Sequence, residues 1–465
     1  MRCLPVHSVL LPLLFCTRAS TGLVPRQAHQ ASFVHGRAQV EARAAEADAR
    51  HDSRRQRAKN IILFVADGNG ISSNYATRLW QGQRKGGFGD EFVLEHEKMP
   101  HLALSKTYNT NAQTPDSAGT ATALNSGVKT RSGVLGLNET ARNSRCEDIP
   151  ASLVTSFAET VKGMGKRVGI VTTARVTHAT PGAVFAHSVN RNYEAFVPDG
   201  CVEQTDIATQ LIGAMFGSGE APQLVDIALG GGREMFLPAG VGGNRQDGID
   251  LTERFTASGG AYASDRASFD ALPLDGAQPL LGLFQPSHMK YEYDREQELD
   301  PEPSLAEMTA AAVQALEAGN EDGYYLMVEG GRVDHANHAG NLYRTVTDGA
   351  AYQAAVQWVV EHIDPADTLV ISTADHSHGL EFHGYCGRGT PIEGLCYDID
   401  PEGVMHTGVP VLAEDGLPFT VVGFLNGAGS VFTPGGSNEL INGSRPLITQ
   451  EQAISPDYEQ QALVP

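Results

Sequence analysis

Six apolar runs punctuate this chain, and their spacing constrains its fold more than any other feature. The first, NIILFVA, ends in Asp67 and a glycine turn. RVGIVTTA (167–174), VDIALGGG (225–232), YYLMVEGG (324–331), TLVISTADH (368–376) and FTVVGFLNG (419–427) follow. Each run is nearly continuous in apolar residues, as expected of a strand buried on both faces. Helical patterns lie between them. Examples are DIPASLVTSFAETVKGMG (148–165), SLAEMTAAAVQALEAG (304–319) and YRTVTDGAAYQAAVQWVVEHI (343–363). In the second, Ser304 and Glu307 form a capping box. This alternation predicts an α/β fold with a mostly parallel sheet covered by helices on both faces. Ligand sites in such sheets lie beyond the carboxyl ends of the strands. Asp67, Glu329, Asp334, Asp375 and His376 all fall there. No internal repeat is visible.

The 465 residues, 41% of them hydrophobic, suffice for one large core or two domains. A net charge of −21 argues against nucleic-acid binding through a global positive field. Bound cations can still reverse the sign locally and admit an anionic substrate. Residues 1–20 read as a signal peptide. Arg2 is a short basic region, VLLPLLFC (9–16) an apolar core, and TRAS, ending at Ser20, resembles a cleavage site. Pro5, His7 and Pro12 are atypical of such a leader. The apolar run is too short to span a bilayer, and no later stretch qualifies. The expectation is an exported protein without a transmembrane segment. Residues 21–58, rich in Ala, Arg, Gln and His, read as a low-complexity or pro-segment outside the folded domain. Cys3 and Cys16 fall in the leader. Cys146, Cys201, Cys386 and Cys396 remain, and disulfides suit that compartment better than thiolate ligation. Proximity suggests Cys146–Cys201 and Cys386–Cys396, one of three possible pairings.

Four segments carry chemistry. In YNTNAQTPDSAGTATALNSGVKT (108–130), Ser117 opens a small-residue stretch that reads as a short helix ended by Gly127. Its hydroxyl lies where unpaired N–H groups favour an anion or a developing alkoxide. An N-cap serine fits the same place. In TLVISTADH, Asp375 and His376 pair a hard oxygen with an imidazole, which suits zinc as well as a turn. In VEGGRVDHANHAGN (328–341), Asp334 and His338 stand i, i+4 and face one way on a helix. Glu329 precedes them and His335 adjoins Asp334. In RVTHATPGAVFAHSVNR (175–191), His178 and Thr180 offer nitrogen and oxygen donors, while His187 reads as a packed or exposed histidine. Arg191 carries a planar fork that matches two phosphate oxygens, or is a surface charge.

In this order, TPDSAGTATA with SGVKT, THATPGAVFAHSVNR, VEGGRVDHANH and TADHSHG resemble the motifs of the alkaline phosphatase family. DIALGGGREMF (226–236) and LLGLFQPSHMKYE (280–292) add to the match. The resemblance runs from about residue 59 to the end. It implies a three-layer α/β/α fold around a large central sheet, often dimeric, acting on phosphate monoesters. Ser117 would be the nucleophile that takes up the phosphoryl group. One zinc would be held by Asp67, Asp375 and His376, and a second by Asp334, His338 and a further histidine. Magnesium would take Asp67, Thr180 and Glu329, with His178 close by. Arg191 would clamp two phosphate oxygens, with His335 near the substrate. Cys146 and Cys201 match a disulfide found in part of the family, whereas Cys386 and Cys396 have no such counterpart.

The chain also departs from the family pattern. His178 and His335 stand where some members carry Asp and Lys. Gln285 stands where calcium-binding members carry a glutamate. The family's C-terminal histidine motif, source of the third ligand of the second zinc, does not appear before Pro465. The catalytic domain, residues 59–465, is therefore expected to be incomplete at its C-terminus. His406 precedes FTVVGFLNG rather than following it, and His378 and His383 are other imidazoles nearby. Two protein donors alone would hold the second zinc weakly, which implies weak or absent activity. The competing readings are a related phosphodiesterase or sulfatase and a degenerate phosphate- or metal-binding product. The C/S-x-P-x-R context of sulfatases is absent.

Overall fold

Five of the six apolar runs become strands of one parallel sheet. The strands are β1 (Asn60–Ala66), β2 (Arg167–Arg175), β3 (Ile227–Gly231), β4 (Ala261–Ala263), β5 (Leu280–Leu283), β6 (Tyr324–Gly330) and β7 (Thr368–Ala374). Their order is β4-β5-β3-β2-β6-β1-β7, and every pairing is parallel. The computed structural model describes Arg37 and residues 58–217, 222–299, 301–414, 416–425 and 448–460. The expected leader and nearly all of 21–58 lie outside the described residues.

Alternation along β1 shows why the sheet needs cover on both faces. Ile61, Leu63 and Val65 pack in a cluster with Ala118, Ala121 and Val161. Ile62, Phe64 and Ala66 pack in another with Met308, Tyr352 and Val356. Successive side chains of a strand point to opposite faces, so each face has its own helical layer. The result is the expected three-layer α/β/α arrangement. Helix Leu305–Glu317 starts at the anticipated capping box, with Ser304 and Glu307 exchanging bonds. The 343–363 pattern forms helix Leu342–His362.

Two local expectations fail, and two short strands go unannounced. The 148–165 pattern is broken, with short helices at Ile149–Ser152 and Phe157–Lys162. Between them Leu153 makes a bridge to Leu137, and Ser156 caps the second helix through its own box with Glu159. Tertiary pairing and a local cap together outcompete the continuous helical period. The sixth apolar run is not in the central sheet. β8 (Leu380–Phe382) pairs antiparallel with Val422–Phe424, where Leu342, Val346 and Phe419 complete a separate apolar cluster. An apolar run fixes burial but not the partner that supplies it. β4 and β5, at three and four residues, are too short to announce a period.

Both cysteine pairings suggested by proximity form. Cys146 meets Cys201 with Cα atoms 5.4 Å apart, and Cys386 meets Cys396 at 5.0 Å.

Phe64 is fully buried and meets Tyr352 edge-on at 5.9 Å between ring centroids. Truncating it removes apolar contact directly beneath the strand that carries Asp67. Phe64→Ala is expected to cost about 3–5 kcal/mol in urea unfolding; a change below about 1 kcal/mol would show that this layer is not rigidly packed.

Candidate active site

Strands β6, β1 and β7 lie side by side at the centre and edge of the sheet. Their carboxyl ends bring four carboxylates together. Asp67 follows β1, Glu329 is the penultimate residue of β6, Asp334 lies on helix Arg332–His338 just beyond it, and Asp375 follows β7. All four are buried. The turn after β1 depends on Gly68, at φ +65°, where a Cβ would sit 2.5 Å from Asp334 Oδ1. Glycine thus lets the backbone approach a carboxylate that a side chain would push away.

Ser117 is the first residue of helix Ser117–Ser126, which ends at Gly127 as expected. It is not the N-cap. Asp116 holds that place and accepts from Gly119 N at 3.2 Å, leaving the serine hydroxyl for other partners. Ser117 Oγ donates to Asp67 Oδ1 at 3.2 Å and lies 3.2 Å from His376 Nε2. His376 Nε2 is itself 3.3 Å from Asp67 Oδ1 and 3.4 Å from Asp375 Oδ2. Asp375 is anchored by Gly68 N (3.2 Å), His376 N (2.8 Å) and Thr120 Oγ1 (2.9 Å).

Arg191 is tied to the residue that precedes this serine. Its Nη1 lies 3.3 Å from Asp116 Oδ2, and its Nη2 donates to His178 Nε2 at 2.8 Å. Asp116 also accepts from Asn109 Nδ2 (2.7 Å) and Gly133 N (2.9 Å). One carboxylate therefore caps the serine helix and fixes the guanidinium. The Asp preceding a small-residue run was the available sequence signal for this cap. Thr120 and Thr172 are two more residues that sequence reasoning missed. Thr172 Oγ1 donates to Glu329 Oε2 in a very short bond.

Several buried polar atoms in the site have no hydrogen-bond partner: Asp67 Oδ2, Glu329 Oε1, Asp334 Oδ1, Thr180 Oγ1 and His178 Nδ1. They are organised in groups whose atoms lie within 4.8 Å of one another. Asp67 groups with Asp334 and His376, and again with His178 and Glu329; Asp334 groups with His338 and His378. Buried carboxylate oxygens left bare are costly unless a cation completes them. Mixed oxygen and imidazole donors at this spacing fit divalent ions.

The electrostatics agree. Burial first, then the charges of Asp375, Asp334 and Glu329, push Asp67 well above the usual carboxylate range. Burial also drives Glu329 up to about 7 and raises Asp334. Burial alone would lower His376, but Asp375 and Asp334 outweigh it and the net shift is upward.

A second set of histidines has the opposite character. His178, His288 and His335 cluster with ring centroids 4.1–5.5 Å apart. Each meets a guanidinium: His178 that of Arg191, His288 that of Arg175 at 2.6 Å, and His335 that of Arg332 at 3.0 Å. Burial and these arginines hold His178 well below its ordinary value and bring His335 down to about 3. His288 was not singled out by sequence, because PSHM carries no ligand spacing.

Gln285 Nε2 donates to Glu302 Oε2 at 2.6 Å, an amide–carboxylate bond at the position noted for its missing glutamate. His187 Nδ1 meets Gly136 O at 2.7 Å, so it is a packed histidine. No described helix is long and apolar enough to cross a membrane.

Comparison with known proteins agrees with this geometry. The sequence model of the family described as Alkaline phosphatase matches residues 58–465. The chain is 39% identical over 428 residues to the tissue-nonspecific isozyme of alkaline phosphatase from Gallus gallus, covering 88% of this chain and 77% of that protein. It is 36% identical over 429 residues to the Homo sapiens tissue-nonspecific isozyme, covering 88% and 76%. The crystal structure of Thermus thermophilus alkaline phosphatase superposes with a TM-score of 0.58 at 30% identity. That match covers 71% of this chain and 62% of the Thermus chain, less than two thirds of the latter's length. On the family model and these relatives, the chain belongs to the alkaline phosphatase family.

Proposed function

We propose that this chain is a metal-dependent phosphate monoester hydrolase that works through a phosphoserine at Ser117. The observation that carries this reading is the position of Ser117 Oγ, 3.2 Å from both Asp67 Oδ1 and His376 Nε2 and on the same Asp116 node as Arg191. Family membership supports the same chemistry.

Zinc fits Asp67, Asp375 and His376, and a second zinc fits the group containing Asp334 and His338. Magnesium, a harder ion, fits the oxygens of Asp67, Glu329 and Thr180, with His178 alongside. Bound there, such cations supply Lewis acidity that favours the serine alkoxide and lowers the pKa of water. Asp67 Oδ1 accepts the hydroxyl hydrogen of Ser117 and holds the oxygen in line for attack. Arg191, fixed by Asp116 and His178, presents its planar fork to two phosphate oxygens. His335 lines the substrate side, steadied by Arg332. In the first step Ser117 Oγ bonds to phosphorus and the ester oxygen departs with the alcohol. In the second, water attacks phosphorus and Ser117 Oγ leaves. Two in-line displacements retain configuration overall. Export and a homodimeric state belong to the same reading, the former supported by the two disulfides.

The direct test is covalent trapping. Acid quenching during turnover of a labelled phosphate monoester should leave phosphate on a peptide containing Ser117, and Ser117→Ala should abolish both label and turnover. Label on another residue would refute the mechanism.

Arg191→Ala is expected to lower kcat/KM for p-nitrophenyl phosphate about 10–200-fold, the equivalent of about 1.5–3 kcal/mol for a charge-assisted bond. Inhibition by inorganic phosphate should weaken in parallel. Unchanged phosphate inhibition would remove Arg191 from the substrate.

Stripping divalent ions should make stability fall with rising pH. A carboxyl whose folded pKa is raised binds its proton more tightly folded than unfolded, so the fold loses stability as pH climbs from the unfolded value to the folded one. For Glu329 that window runs from 4.5 to about 7, worth on the order of 3 kcal/mol. Thermal melts of chelator-treated protein should fall across this window, Glu329→Gln should flatten the fall, and added divalent cation should restore more at high pH than at low. A flat melting profile in the stripped protein would contradict the shift.

A further inference from the structure

We infer that the cavity between helix Ile71–Arg84 and helix Leu342–His362 is a binding site for a small aromatic carboxylate. Its volume is about 280 Å3. Small-molecule pockets begin at about 300 Å3, so a single ring or two fused rings fill this one. Trp80, Arg84 and Lys85 line it from the first helix and the residue after it, Phe92 from the loop that follows, and Ala350 and Ala354 from the second helix. None of these residues belongs to the site around Ser117, so the inference stands apart from the phosphoserine reading.

Small residues build the walls. Gly349 brings the two helices into contact, since a Cβ there would sit 2.4 Å from Thr77 Oγ1. Gly82 and Gly89 let the loop after the first helix fold back on it. A Cβ on Gly82 would meet Gly89 Cα at 2.7 Å, and Gly89, at φ +108°, packs against Leu79 O. The loop therefore returns along the helix and carries Phe92 to the cavity. Ala350 and Ala354, one turn apart, leave the facing surface of the second helix shallow.

Two donors of the lining are unspent. Trp80 Nε1 is buried and has no hydrogen-bond acceptor among the described residues, a cost that a bound acceptor would remove. The Lys85 ammonium makes no ion pair among the described residues and lies over Phe92, 4.3 Å from the ring centroid. Compensation of the helix end does not account for it, because Gly86 N and Gly87 N already donate to Gln83 O and Gly82 O at 2.9 and 3.0 Å. The other polar groups are engaged. Arg84 donates to Tyr343 Oη at 2.9 Å, Glu95 takes Lys98 Nζ at 2.6 Å, and Gln353 Nε2 meets His96 Nδ1 at 2.6 Å. An indole N–H and an ammonium both call for an acceptor, and together they match the two oxygens of a carboxylate but fall short of the three of a phosphate. Phe92 and the two alanines call for an apolar ring.

The test uses the full chain with its indole nitrogens isotopically labelled. The two tryptophans, Trp80 and Trp358, give two indole resonances, and Trp358→Phe assigns them. Titration with benzoate should shift the Trp80 resonance saturably and leave that of Trp358 in place. Benzamide, of the same shape without the charge, should bind at least about 10-fold more weakly. Lys85→Gln should weaken benzoate about 10–100-fold. Lys85 is exposed, so this variant should keep the melting temperature and the p-nitrophenyl phosphate turnover of the unmodified chain. Trp80→Phe keeps an apolar wall without the N–H and should weaken benzoate several-fold by calorimetry. Benzoate should stay bound at inorganic phosphate concentrations that fully inhibit turnover. An unmoved Trp80 resonance, equal binding of benzamide, full affinity in Lys85→Gln, or release of benzoate by phosphate would each overturn the inference and leave the phosphatase reading standing.

Discussion

Four buried carboxylates at the ends of three adjacent strands are the constraint on which the rest of this structure depends. Asp67, Glu329, Asp334 and Asp375 cannot all ionise in a site closed to water without a compensating charge. The sheet order β6-β1-β7 makes their meeting unavoidable, because parallel strands end on the same side. Raised carboxyl affinity for protons and bare buried oxygens are two expressions of this crowding. Divalent cations bound there would resolve both, which would link metal binding to the integrity of this end of the sheet.

Around that crowd the chain spends neutral hydrogen-bond donors on holding oxygens in place. Thr120 fixes Asp375, Thr172 fixes Glu329, and the Gly68 amide reaches Asp375. Each takes one lone pair and leaves another directed elsewhere. Asp116 serves a different purpose, since it caps the serine helix and ties it to Arg191 and Gly133. A shift of that helix would move Ser117 and the guanidinium together, which keeps their relative position insensitive to small changes of the scaffold.

The sheet was legible because strands buried on both faces must be apolar throughout, and five such runs met no competing explanation. Its two short strands β4 and β5 were not, since AYA and LLGL carry too few residues for a period. FTVVGFLNG misled because apolarity reports burial and is silent about which layer provides it. Residues with chemically distinctive patterns were readable: the i, i+4 pair Asp334 and His338, the strand-end Asp67 and the Asp375–His376 dipeptide. Thr120, Thr172 and His288 were not, because a threonine in a helix or strand and a lone histidine in a loop look the same whether or not the fold brings them to a carboxylate or an arginine. Ser117 as an N-cap was a reasonable local inference that failed by one residue, since Asp116 has the stronger side-chain acceptor.

The site is electrically divided, within a chain of net charge −21. On one side the carboxylates raise the affinity of His376 for protons. On the other, Arg175, Arg191 and Arg332 each face an imidazole that burial and the guanidinium charge keep neutral. A neutral imidazole accepts from a guanidinium without adding charge, so it orients the arginine and leaves its positive field undiminished. Carboxylate partners such as Asp116 and Glu194 orient equally well but cancel part of that field. Combining both kinds of partner lets Arg191 be rigid and still keep part of its positive field. The global negative charge matters little at short range, because screening confines it to about 8–10 Å while these guanidinium groups lie within the cluster itself.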